Sequence, residues 1–161
     1  MKYLLDTCVL SEFVKPAPNS AVLAWADARA ENELFVAAMT LAELRRGVAK
    51  LPASRRKSEL SVWLDQLQAS LGERVLPFTG DTAGYWAEMC ARVEAMGKPM
   101  AAFNSIIAAT AVEHGLALVT RNVRDFAAAP LMLINPWDQP LCLAQSRTRR
   151  PARGFFCPPR T

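Results

Sequence analysis

Residues 101–126, AAFNSIIAATAVEHGLALVTRNVRDF, constrain the fold more than any other stretch of the chain. Their spacing predicts a helix from about Asn104 to Glu113 that stops at Gly115, a short buried strand over 116–119, and a polar turn ending in Asp125. A helix that feeds a wholly apolar strand is half of a β/α unit, since strands covered on both faces belong to parallel sheets. In open α/β sheets ligands gather at the carboxyl ends of the strands, which places Thr120 to Asp125 where chemistry is expected.

The rest of the chain repeats this alternation. Residues 2–5 predict a first strand that ends on Asp6, 7–14 a helix closed by Pro16 and Pro18, and 20–30 a helix capped by Asn19. A second strand is expected over 34–38. Thr40 and Glu43 then have capping-box spacing at the head of a helix reaching Pro52, and an amphipathic helix over 54–70 completes a helical hairpin. A strand over 75–78, a helix capped by Asp81 and stopped at Gly97-Lys98-Pro99, and a last strand over 131–134 follow. The expected class is α/β: a three-layer sandwich with a central, mostly parallel sheet flanked by helices.

At 161 residues, 52% of them hydrophobic, the chain suits one domain, assigned to residues 1–140. Residues 141–161 turn to Arg, Pro, Ser and Gly without periodicity and read as a basic, disordered C-terminal tail. The formal charge of +4 belongs to that tail, which holds five arginines and no acid; residues 1–140 keep fourteen basic residues against fifteen acidic ones. The overall charge is therefore a poor guide to the body. Four scattered cysteines with no CxxC pair, and a single histidine, argue against a zinc site or a disulfide framework and fit a reducing cytoplasm. The opening MKYLLD is too short an apolar run for a signal peptide, and no apolar stretch approaches membrane-spanning length.

Four polar side chains fall at element ends: Asp6 after the first strand, Glu43 in the first turn of a helix, Asn104 at the start of another, and Asp125 after the strand it leads to. Carboxylates crowded into a small site need a cation to compensate them. Mg²⁺ or Mn²⁺ prefers oxygen donors and keeps waters, so the chemistry suggested is metal-assisted hydrolysis of a phosphodiester. Each residue also has a plain structural reading: Glu43 as the capping partner of Thr40, Asn104 as an N-cap, Asp6 as a cap of the Thr7 helix, and Asp125 as a turn aspartate.

The motifs LLDTCVLSE, TLAELRRG, AAFNSIIAATA and LVTRNVRDF, in this order, resemble those of PIN domains, and most closely the VapC-type toxins, including the FitB-like branch. The resemblance spans about residues 1–137. It implies a Mg²⁺- or Mn²⁺-dependent endoribonuclease, usually a homodimer, silenced by a small VapB-like antitoxin. By position, Asp6, Glu43 and Asp125 match three acidic residues of the family, and Thr7, Thr120 and Asn122 fall at supporting polar positions. The family carries Asp where this chain has Asn104. An amide offers one neutral carbonyl oxygen and a competing N–H donor, so the expectation is a nuclease fold with impaired catalysis. The alternatives are a catalytically dead module that binds antitoxin or RNA, and a metal-dependent phosphatase.

Arg45, Arg46 and Lys50, continued by Arg55, Arg56 and Lys57, are candidates for a phosphate-tracking rim beside Glu43, against a plain solvated helix face. Cys8 and His114 suggest a thiol nucleophile and base only weakly: the first reads as a small buried residue and the second as a helix C-terminal residue. No GxSxG, P-loop or GxGxxG motif is present.

Overall fold

A computed structural model describes residues 1–138, so the expected tail over 141–161 lies outside the described residues. Short apolar runs form the strands β1 (Tyr3–Leu5), β2 (Leu34–Ala37), β3 (Val75–Leu76), β4 (Ala117–Val119) and β5 (Leu133–Ile134). They pair in parallel throughout, in the order β3-β2-β1-β4-β5. The helices are α1 (Thr7–Glu12), α2 (Ser20–Asp27), α3 (Ala38–Ala49), α4 (Arg55–Leu71), α5 (Gly80–Ala95), α6 (Ala102–Glu113) and the short α7 (Val123–Phe126).

Strand side chains alternate between the two faces of the sheet, and the chain uses both faces. Tyr3, Leu5, Ala117 and Val119 join one core with α1, α2, α3 and α4 residues, whereas Leu4 and Leu118 join a second core with Met89, Ile107, Ala108 and Phe126. This is the three-layer α/β sandwich expected from the sequence. Order reverses at the centre: β2 and β3 lie on one side of β1, and β4 and β5 on the other. Such a switch point opens a crevice at the carboxyl ends of the central strands, here just beyond Leu5 and Val119.

Two glycines shape the second half. Gly97 (φ 68°) and Gly115 (φ 61°) take the left-handed conformation after α5 and α6. The Lys98 N–H bonds back to the Val93 carbonyl and Gly97 to Glu94; Leu116 likewise bonds to Ala111 and Gly115 to Val112. Both are Schellman closures. The first fixes the backbone of Lys98, and the second aims Leu116 into the sheet.

Several local expectations are corrected. The Thr40–Glu43 capping box does not form: α3 starts directly from β2 with Ala37 as N-cap, and the buried Thr40 hydroxyl has no partner. Thr79, rather than Asp81, caps α5 and shares a reciprocal cap with Thr82. Asn104 is not an N-cap; it is the third residue of α6, behind Ala101, which gives no side-chain cap. No described helix is long and apolar enough to cross a membrane.

Candidate active site

β1 delivers Asp6 to the switch point and ends there because its carboxylate caps α1, accepting from the Thr7 N–H at 2.8 Å. Asp6 N–H continues the sheet ladder to the Val119 carbonyl. The carboxylate is 5% exposed. Its other oxygen accepts from the Thr120 hydroxyl at 2.7 Å and the Cys8 thiol at 3.3 Å. Thr120, fully buried after β4, also accepts from the Asn122 N–H. The capping role and a place in the crevice therefore coexist in Asp6.

Thr7 turns outward from the same loop and donates its hydroxyl to Glu43 Oε2 at 2.5 Å. This bond draws α3 to α1 and occupies the carboxylate that the capping-box reading would have spent on its own helix. Among the described residues no lysine, arginine or histidine is ion-paired with Asp6, Glu43 or Asp125. A buried carboxylate held only by neutral donors, with a second one hydroxyl away, is a site of uncompensated negative charge.

Asn104 and Asp125 form a second group. They line a cavity of about 500 Å³ with Lys98, Pro99, Met100, Ala101, Arg124, Ala127 and Ala128. Asn104 is half-buried and Asp125 exposed. The expected polar turn before Asp125 is instead Asn122 leading into α7, with the Asp125 N–H on the Asn122 carbonyl. The two groups are joined through α3 and α6, where the Arg46 guanidinium lies 5.7 Å from the Phe103 ring centre.

The rim residues separate. Arg45 is bound to Asp65 and Gln68 of α4 at 2.9 Å each, Arg46 lies over Phe103, and Lys50 is exposed at the C-cap of α3. Lys98 and Arg124, which the sequence reading did not single out, line the cavity itself. Their signal was proximity in sequence: Arg124 precedes Asp125, and Lys98 stands just before the helix of Asn104.

Cys8 is no nucleophile. Burial, helped by the Asp6 charge, pushes its thiol up to about 11, so it stays protonated at neutral pH and serves as a donor to Asp6. It also accepts from the Arg121 N–H at 3.3 Å. His114 is the C-cap of α6, as expected, beside Glu113.

The oxygens that could serve a cation lie in two groups, the Asp6 and Glu43 carboxylates bridged by Thr7 and the Asp125 carboxylate with the Asn104 amide oxygen at the cavity. Among the described residues no three acidic, histidine or cysteine side chains form a closed metal-binding cluster. Oxygen donors of this kind suit Mg²⁺ or Mn²⁺ better than zinc, which prefers nitrogen and sulfur.

Residues 3–130 match the PIN domain family model. The chain belongs to the PIN-domain family. It is 42% identical over 136 residues to the VapC ribonuclease Y4jK of Sinorhizobium fredii, covering 84% of this chain and 97% of that one. To toxin FitB of Neisseria gonorrhoeae it is 40% identical, covering 83% and 97%. The crystal structure of FitAcB from the same gonococcus superimposes with a TM-score of 0.80 at 39% identity, covering 85% of this chain and 99% of that chain. The fold and family expected from the four motifs are thus those found.

Proposed function

We propose that this PIN domain is built as an endoribonuclease toxin that hydrolyses RNA phosphodiester bonds with Mg²⁺ or Mn²⁺, and that Asn104 attenuates it. The observation that carries the reading is the pair Asp6 and Glu43, bridged by Thr7 at the switch point with no cationic partner among the described residues. It is supported by relatives that are a VapC ribonuclease and a toxin.

In this reading Asp6, fixed by three donors, and Glu43, fixed by Thr7, would hold the cation, with Asn104 and Asp125 as the further oxygen donors. A bound Mg²⁺ or Mn²⁺ supplies charge neutralisation at the phosphate and a more acidic water. Asp6 accepts three hydrogen bonds and Glu43 only the one from Thr7, so Glu43 has the greater free acceptor capacity. Glu43 keeps one oxygen free of the Thr7 bond, and Asp125 is open to solvent. Asn104 can orient a water through its carbonyl but cannot take its proton, which is what an aspartate at that position adds. A neutralising VapB-like antitoxin, a homodimer and a cytoplasmic setting complete the proposal by analogy with the toxins.

The test is Asn104→Asp. With Mg²⁺ or Mn²⁺ this variant is expected to cleave single-stranded RNA roughly a hundredfold faster than the parent chain, the usual worth of a positioned base, and EDTA is expected to abolish the gain. A metal-replete variant that leaves RNA intact while cleaving small phosphomonoesters would replace the reading with a phosphatase.

A further inference from the structure

The cavity that holds Asn104 and Asp125 is lined by two cations from different elements. Lys98 stands on the Schellman turn after α5, its backbone pinned to Val93, and Arg124 stands on α7. Both are exposed, and neither is ion-paired among the described residues. Arg45, by contrast, is consumed by Asp65 and Gln68.

Lys98 and Arg124 line this cavity with a single carboxylate, Asp125, so its side-chain balance is net positive. An aspartate at position 104 would cancel that excess. The residue that removes a catalytic carboxylate therefore also changes the charge of the cavity, and in the direction that favours a polyanion. The first turn of α6 adds no acid of its own, leaving the side-chain balance as stated.

We propose that Lys98 and Arg124 clamp the phosphodiester backbone of single-stranded RNA over Asn104, so that this chain holds RNA more tightly than its aspartate counterpart while cutting it more slowly. The proposal rests on the ribonuclease reading and deepens it by naming the substrate contacts. RNA, rather than an acidic protein segment, is the occupant because the cations share the cavity with Asn104 and Asp125, which the ribonuclease reading assigns to phosphodiester hydrolysis. Fixed single charges on two elements suit phosphates repeated along a strand.

The experiment follows the anisotropy of a fluorescein-labelled single-stranded RNA oligonucleotide with the full chain in EDTA, across a salt series. Lys98→Ala and Arg124→Ala are each expected to weaken binding severalfold at low salt and to flatten the log affinity against log salt slope by about 0.7, the value for one lost phosphate contact on a single strand. Lys98→Arg and Arg124→Lys should keep the parent slope, Asn104→Asp should bind severalfold more weakly, and Arg45→Ala should bind as the parent does. The clamp is overturned if the two alanine variants titrate like the parent, if Arg45→Ala loses as much, or if poly-glutamate of equal charge displaces the RNA as well as unlabelled RNA does. Cleavage by Asn104→Asp separates the two ideas. A cleaving variant whose binding ignores Lys98 and Arg124 sinks the clamp alone, and a non-cleaving one whose binding tracks both upholds the clamp while sinking the ribonuclease reading.

Discussion

Asp6 and Asp125 are both aspartates that follow strands of the same parallel sheet, yet the structure treats them in opposite ways. Asp6 is buried and takes hydrogen bonds from Thr7, Thr120 and Cys8. Asp125 is exposed on a four-residue helix and shares a cavity wall with the half-buried Asn104. The Asp6 group is preorganised by its own fold, and the Asp125 group is left open to solvent. Stability is thus concentrated at Asp6, and tunable chemistry at Asn104, where a single atom exchange alters charge without disturbing a hydrogen bond present in the fold.

The largest effect that would sharpen this contrast is the one proposed for Asn104→Asp, roughly a hundredfold in cleavage rate, at little change in the urea midpoint. Asp6→Ala should do the reverse to the fold. It removes a helix cap worth about 1 kcal/mol and leaves the buried Thr120 hydroxyl without its carboxylate, worth about 1–3 kcal/mol, both read by urea denaturation. Thr7→Val is next. Losing the hydroxyl from Glu43 should cost about 1–2 kcal/mol and lower cleavage in the Asn104→Asp background.

Glu12 extends the preorganised region into the α1–α2 loop, where it accepts from Lys15 Nζ at 2.6 Å and from the Asn19 N–H at 2.8 Å. Burial raises its pKa, but the Lys15 and Asn19 hydrogen bonds and the Lys15 and Arg121 charges outweigh this and hold it below the usual 4.5. A depressed carboxylate stabilises the fold fully above its unfolded value and loses that contribution as pH falls through its folded value. Glu12→Gln should therefore flatten the fall in stability below about pH 4.5, and leave the shape of the curve between pH 6 and 8 unchanged, in a series of urea midpoints. Asp125→Ala should be the mildest, within about 0.5 kcal/mol of the parent as for other exposed sites. A loss of several kcal/mol there would break the comparison.

What could be read from the sequence followed from what each signal measures. Continuous apolar runs located β1, β2 and β4 and so put Asp6 and Thr120 at strand ends, because a strand buried on both faces leaves an unbroken pattern. The strand order, with β1 between β2 and β4, had no local signal; it is decided by pairing across the whole chain. Thr40 and Glu43 matched a capping box because the pattern records spacing only. With no loop between β2 and α3, Thr40 falls inside the helix and Glu43 is released to Thr7. A helix as short as α7 has no period to detect, so the sequence shows only a polar turn before the candidate Asp125. Lys98 and Arg124 were passed over because the charge run of α3 was denser, although Arg45 there is already paired with α4.

The central place of β1 also governs when the Asp6 group is completed during synthesis. β1 emerges first, but its partner β4 and the residue Thr120 that holds Asp6 arrive more than a hundred positions later. Asp125 comes from that same late portion. A nascent chain that stops short of Ala117 has three of the five strands and lacks both Thr120 and Asp125. The Asp6 carboxylate gains its Thr120 donor only once β4 has taken its place beside β1.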